Sequence, residues 1–398
     1  MLYRITIENF FSIADTQEIS FAVHGSAPDV PCFRGARFDE NIRLPVSVGF
    51  FGSNASGKTT ILRAIMCSFW FALHSFDGST AMLFQAYRQK NWWEKPSKIL
   101  IEFDSQMSDE AAPAKFRYEL HISHAANDLS NKTVSYEALS YAPKGKFRRL
   151  FERKGQTFYF GQEFGISFAN DPRKESIRSD ASVLSTLAKL NHPQSIYLSQ
   201  QINMLQTNFA GFNGRSAQRN DMSWLSIYAK DKACLERLNR ELRRFDVGLE
   251  SMSVEQGDQG FFAKLKHVGL DSFVFFGEES AGTQRFIEIF PRLHYALELG
   301  GLAVIDELDT DFHPLLLPEL FRWFSDPSRN PRGAQLLFTA HNPALLDNLE
   351  KEQIFFVEKP SGQPTHIYGA RDIKGLRRDL SLMRKYLSGE LGAVPHIG

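Results

Sequence analysis

Residues 52–59 read Gly52-Ser53-Asn54-Ala55-Ser56-Gly57-Lys58-Thr59, after a short apolar run and before an apolar-rich helical pattern. Gly52 and Gly57 let the backbone curl, so that the N–H groups of Ser53, Asn54, Ala55 and Ser56 can face one anion. Lys58 adds a cation that reaches the outer oxygens of a polyphosphate. The Thr59 hydroxyl is placed to ligate magnesium, and Thr60 stands one position late for that role. The same pattern arises by chance in unrelated chains, but here the strand-loop-helix context is also met. Nucleotide binding is the expectation.

A second chemical cluster follows the apolar run Leu302–Ile305, where Asp306 and Glu307 stand at a strand end. A carboxylate there can hold a magnesium ion, and the next one can orient or deprotonate an attacking water. An Asp-Glu pair can equally be a solvated turn, and the loop at 52–59 favours the chemical reading. Glutamate directly after the magnesium aspartate points to hydrolysis by water. His341 ends another apolar strand, "AQLLFTAH", where an imidazole can contact a terminal phosphate and sense its loss. His313, in "DFHP", reads as structural. Finally, "ESAGTQR" begins a helical pattern with Ser280 and Gly282. A helix start with free N–H groups and a hydroxyl is an anion site. Because Lys58 already has its own helix, this second site suits a phosphate held by a second chain.

The elements that must position these groups follow from patterning. "LYRITIENFF" reads as an opening strand with Leu2, Ile5 and Ile7 available for burial. "SKILIEFD", "KFRYELHIS", "TVSYEALSYA" and "FRRLFERKGQTFYFG" read as antiparallel strands. Between 181 and 250, "ASVLSTLAKLN", "SIYLSQQINMLQTNF" and "DKACLERLNRELRRFD" have helical spacing, without the sustained heptads of a long coiled coil. "GLESMSVEQ" and "GFFAKLKHV" return to strands. From 302 onward, short apolar strands alternate with helical material, which indicates a parallel sheet buried on both faces. The expected organisation is an α/β chain: an N-terminal part with the phosphate loop at 1–105, a β-rich lobe at 106–180, a helical insertion at 181–250 and a C-terminal part with Ser280, Asp306 and His341 at 251–398.

The 398 residues are 43% hydrophobic and 23% charged, which fits a globular chain with a sizeable core and excludes disorder. Net charge is zero, so whole-molecule attraction to nucleic acid is not expected. Cys32, Cys67 and Cys234 lie far apart without CxxC spacing, which excludes a cysteine zinc site and a disulfide framework. The N-terminus alternates apolar and polar residues, unlike a signal peptide, and no window approaches the roughly 18 apolar residues of a membrane span. A cytoplasmic chain without membrane contact is expected.

The order GxxxxGKT, S-x-G-T-Q, hydrophobic-D-E and T-x-H resembles the ABC-type P-loop ATPase heads of SMC and DNA-repair proteins. With "IENFFSI", "VIDELDTDFHP", "TAHNPALLD" and "YLSGELGAVP", it is most similar to the ABC-like "AAA family ATPases" of OLD-type, abortive-infection and PARIS-like antiphage systems. The resemblance covers roughly 1–105 and 240–395. It implies an ATPase using ATP and magnesium, with Ser280 and Gly282 completing the site of a second copy. It also implies that Asp309 lies in the loop crossing that interface, and that a glutamine helps hold magnesium; Gln85 is the candidate, with Gln89 the alternative. Phe11 departs from the family by replacing a frequent basic residue, and "SAGTQ" lacks the second glycine of transporters. Residues 342–398 are too few for the Toprim nuclease domain of OLD-type proteins, so a nuclease effector would be a separate chain.

Three functions are weighed. The first is a homo-oligomeric switch, a dimer at least or a larger ring, acting as sensor or scaffold for an effector in antiphage defence. The second is an SMC-type DNA repair or recombination ATPase, for which the basic run at 144–155 (Lys144, Lys146, Arg148, Arg149, Arg153, Lys154) would contact phosphates; a solvated hairpin is the plainer reading. A transporter ATPase ranks last. The segment "DIKGLRRDLSLMRKYL" reads as amphipathic, with Leu376, Leu380, Met383 and Leu387 on its packing face.

Overall fold

The computed structural model describes residues 1–78, 83–125, 128–166, 171–209, 223–245, 248–258 and 260–395. The chain opens with β1 (Leu2–Glu8), β2 (Gln17–Ser20), β3 (Phe33–Ala36), β4 (Asp39–Pro45) and β5 (Ser47–Phe51), then enters α1 (Lys58–His74). An antiparallel run follows: β6 (Ser97–Ser105), β7 (Ala114–Ala125), β8 (Asp128–Ala142), β9 (Arg148–Lys154) and β10 (Thr157–Phe160). Next come α2 (Val183–Lys189), α3 (Pro193–Ile202), β11 (Leu205–Thr207), α4 (Ser223–Lys230) and α5 (Lys232–Phe245). A small sheet of β12 (Leu249–Gly257), β13 (Gly260–His267) and β14 (Val274–Phe275) leads to α6 (Ala281–Leu299). The chain closes through β15 (Leu302–Ile305), α7 (Leu316–Ser325), β16 (Gln335–Ala340), β17 (Ile354–Glu358), β18 (His366–Gly369) and α8 (Leu382–Leu387).

The central sheet has the order β11-β15-β16-β5-β17-β18, parallel throughout except for β17 against β18. Its inner strands β15, β16, β5 and β17 are buried on both faces, as alternation along them shows. Val304, Leu337, Phe355 and Val357 join one apolar cluster with α1 and the antiparallel sheet. Their neighbours Ala303, Ile305, Leu336, Phe338, Ile354 and Phe356 join another with α4–α7. Side chains two apart share a face, so each strand feeds two cores. The fold is an α/β P-loop NTPase fold, in which strand ends and their loops carry the chemistry.

The second sheet is antiparallel, in the order β10-β9-β8-β7-β6-β1-β2. Leu2, Ile5 and Ile7 are all buried, as the opening strand required. The boundary expected at 105/106 falls between β6 and β7, which pair along the whole of β6. Sheet pairing ties 1–20 to 97–160, so this lobe draws on both sides of that boundary.

Three local expectations differ from the structure. The helical pattern through Phe209 ends at Ile202, and Leu205–Thr207 instead forms the edge strand against β15. A three-residue strand is too short to show a period of two. Leu380 and Leu387 are exposed, whereas Leu376, Leu382 and Tyr386 are buried; only the short α8 forms there, so no continuous apolar stripe exists. In the basic run, Arg153 is completely buried and donates to the carbonyls of Gly155, Ala181 and Arg178. Arg148 pairs with Glu163, and Arg149 with Glu152. These cations hold the hairpin together. Among the described residues, no helix is long and apolar enough to cross a membrane.

Candidate functional site

The loop between β5 and α1 takes the form its residue types allow. Gly57 has φ of 108°, and a Cβ there would lie 2.4 Å from the Thr365 hydroxyl, so the position requires glycine on both counts. The Thr365 hydroxyl donates to the Ser56 carbonyl at 2.7 Å and lies 2.9 Å from Ser12 Oγ, and Ser12 is 3.0 Å from Thr60 Oγ1. The Ser53 N–H donates to the Ala393 carbonyl at 3.0 Å. The loop is therefore braced by chain segments from both ends of the molecule. Its cavity measures about 590 Å³ and is lined by residues 54–60 together with Ser12, Glu307 and His341.

Lys58 is buried, and its ammonium donates to the carbonyls of Gly52 at 2.8 Å and Ser53 at 2.9 Å. Burial pushes its pKa down, while Asp306, Asp309 and Glu307 oppose that shift. The Thr59 hydroxyl donates to Asp306 Oδ1 at 3.1 Å, and the Thr339 hydroxyl donates to the same oxygen at 2.6 Å. A hydroxyl and a carboxylate in direct contact at the loop are the donor set a magnesium–nucleotide needs. Magnesium takes one or two protein ligands and completes its shell with phosphate and water. The residues fit the ion without a cluster of carboxylates, and none of three or more potential ligands occurs among the described residues.

The acidic end of β15 is held by contacts from elsewhere. Asn208 receives the Asp306 N–H and donates to the Asp306 carbonyl, both at 2.8 Å. Glu307 has φ of 50°, an unusual conformation for its type. Its N–H donates to Thr339 Oγ1 at 2.7 Å, and the next N–H, of Leu308, to the Thr339 carbonyl at 3.0 Å. The result turns the Glu307 carboxylate toward the cavity, 3.7 Å from His341 Nε2. Asp309 accepts the N–H groups of His341 and Asn342 at 2.8 and 2.6 Å, and so clamps the loop after β16 within the same chain.

Ser280 is the N-cap of α6, its hydroxyl accepting from the Thr283 N–H at 3.1 Å. A Cβ on Gly282 would lie 2.8 Å from the Asp311 carbonyl, which explains the glycine. Ser280 and Gly282 line another cavity, with Asp311 and His313, and not the one above Lys58. Gln85 also lies outside the lining of the Lys58 cavity. Its carbonyl accepts the Phe11 N–H at 2.8 Å, one residue from Ser12, while its side chain is 3.5 Å from Arg88. Gln89 is exposed at the start of a short turn. The structure thus brings Lys58, Thr59, Asp306, Glu307 and His341 together and leaves Ser280, Gly282 and Gln85 apart from them. Sequence reasoning did not find Asn208, Thr365 or the role of Thr339. Only the T-x-H pattern hinted at the last.

Residues 47–347 match the family described as "AAA domain, putative AbiEii toxin, Type IV TA system", a span of more than two thirds of the chain. The chain belongs to this AAA-domain family. Among solved structures, this AAA domain is similar to the SMC head domain from Thermotoga maritima at 13% identity, over 92% of this chain and 98% of that one, with a TM-score of 0.43. It is likewise similar to an SMC head bound to the C-terminal winged-helix domain of ScpA, at 12% identity, covering 92% and 97%, with a TM-score of 0.47. No curated protein sequence matches it.

Proposed function

We propose that this AAA domain binds ATP with magnesium, hydrolyses it to ADP and phosphate, and uses the two states to switch an assembly of identical chains. The observation carrying this reading is the Thr59–Asp306 contact beside a cavity onto which Lys58, Glu307 and His341 all open. Lys58 exchanges its two loop carbonyls for phosphate oxygens, and the loop N–H groups hold the remaining oxygens. Magnesium, held by Thr59 and Asp306, supplies charge neutralisation on the phosphates when bound. Glu307 orients a water and takes its proton, and His341 fixes the carboxylate and contacts the terminal phosphate. A helix start that lies apart from its own phosphate site serves the site of a neighbour, so Ser280 and Gly282 complete a head-to-tail pair. Gln85 is the further residue assigned to the magnesium shell by this reading.

The family description supports a toxin or defence setting. There the assembly, a dimer or larger ring, acts as sensor and scaffold for a separate effector such as a Toprim-type nuclease. The repair reading loses support because Arg153 is buried and Arg148, Arg149 and Lys154 are ion-paired, which leaves Lys144 and Lys146 of the basic run for phosphates.

Light scattering of the Glu307→Gln protein with and without ATP and magnesium tests the switch. Growth in mass with ATP is expected, together with loss of hydrolysis in Ser280→Arg protein that still binds nucleotide. A monomer under both conditions, or wild-type turnover by Ser280→Arg, would overturn the composite site.

A further inference from the structure

A second cavity, of about 530 Å³, opens between α5, the C-terminal half of α6 and the segment after α7. Its size is within the range of small-molecule sites. Its floor is aromatic: Phe290 and Trp323 meet edge to face at 6.0 Å, and His294 stacks on Phe290 at 5.8 Å. All three are buried, with His294 8% exposed. Around this floor stand four arginines and two glutamates.

The glutamates are already committed. Glu298 pairs with Arg237, and Glu241 pairs with Arg329 at 3.2 Å, whose guanidinium also lies over Trp323. Arg240 and Arg332 remain. Neither side chain forms a direct hydrogen bond or ion pair among the described residues, although the Arg332 charge also acts on Glu298, and the lining carries two more arginines than glutamates. The His294 side chain is largely buried and lines the cavity. Burial and the Arg237 charge push its pKa down, leaving a neutral ring with one donor and one acceptor.

We propose that this cavity binds a small aromatic phosphate monoester, a nucleoside monophosphate by chemical class, separately from the phosphate loop. Two free guanidiniums match a phosphate monoester, which carries about −1.5 to −2 at neutral pH, whereas a carboxylate neutralises only one of them. Guanidinium forks suit phosphate oxygens, and the aromatic floor with the Arg329 plane suits a flat ring. The site lies on the same helix as Ser280. His294 is fourteen residues along α6 from that cap, roughly 21 Å at the helical rise, with Pro291 between the two places.

The test uses the full chain carrying Lys58→Ala, which disables the phosphate loop, titrated by calorimetry with AMP, GMP, adenosine and inorganic phosphate. Saturable binding of AMP or GMP at one site per chain is expected, with adenosine and inorganic phosphate weaker by about tenfold or more. Adding Arg240→Ala and Arg332→Ala, both exposed positions, should weaken the nucleotide by a similar factor while leaving the melting temperature unchanged. Absence of saturable binding by both nucleotides, or binding that ignores the arginine substitutions, overturns the proposal. Inorganic phosphate binding as tightly as AMP overturns the flat-bodied ligand. Because the readout is binding alone, its failure is distinct from failure of the ATPase reading.

Discussion

Asp309 offers the sharpest test of how the site is assembled. Its Oδ2 accepts two backbone N–H groups, from His341 at 2.8 Å and Asn342 at 2.6 Å. The Asp309→Ala substitution leaves both donors without their carboxylate. Hydrogen bonds to a charged acceptor contribute about 1.5–3 kcal/mol each, and these two reach the surface, so the low end applies and about 3 kcal/mol is lost in total. The loss is local: it frees the loop that holds His341 3.7 Å from Glu307. A displacement near 1 Å at such a pair costs on the order of a hundredfold in rate. Single-turnover ATP hydrolysis should therefore fall by roughly that factor. Nucleotide affinity should change little, because the loop N–H groups, Lys58 and Thr59 hold the magnesium–phosphate. Asp309→Asn keeps an acceptor oxygen and should recover much of the rate. Wild-type single-turnover hydrolysis by Asp309→Ala would refute the clamp. So would a rate loss that appears only through failed assembly, since that would return Asp309 to the interface role its motif suggested.

Two further outcomes follow from contacts the fold creates. Asn208→Ala removes both hydrogen bonds to the Asp306 backbone, about 2 kcal/mol together, and should lower turnover more than nucleotide affinity; equal turnover in a stopped assay would contradict the positioning role. Glu102 is buried among Arg4, Lys115 and Arg117, at 2.7, 2.5 and 2.6 Å. Burial opposes its charge, but the hydrogen bonds from Lys115, Arg4 and Arg117 outweigh it and hold its carboxyl below the usual range. A depressed carboxylate contributes stability that is present above its unfolded pKa and lost as pH falls through the folded one. Glu102→Gln should cost about 3 kcal/mol at neutral pH, the low end for breaking a buried pair. Calorimetric melts should show the gap from wild type closing as the solution is acidified below about pH 4, and a gap constant with pH would refute the assignment.

Much of the site was legible locally. The loop at 52–59 announces itself because its residue types do their work within eight consecutive positions. The strand before it and the helix after it follow from equally local patterning. Asp306, Glu307 and His341 were legible because each follows an apolar run long enough to be a buried strand, and strand ends of a parallel sheet face one edge. The short strand β11 was not, since three residues carry no period, and Asn208 was lost with it. Arg153 looked like one cation of a surface run, and only the pairing of β8 with β9 turned it inward toward Glu137.

By itself, the sequence determined the α/β class, the phosphate loop and the carboxylates and imidazole that belong with it, because those are properties of residue type and short spacing. Only the tertiary structure decided which groups hold them. Asn208 meets Asp306 across 98 positions, and Thr365 meets Ser56 across 309. The separation of Ser280 from Lys58 was decided in the same way. A hydrogen-bonding side chain does not carry the address of its partner in its own neighbourhood. That address exists once sheet register and helix packing have placed distant segments within about 3 Å of one another.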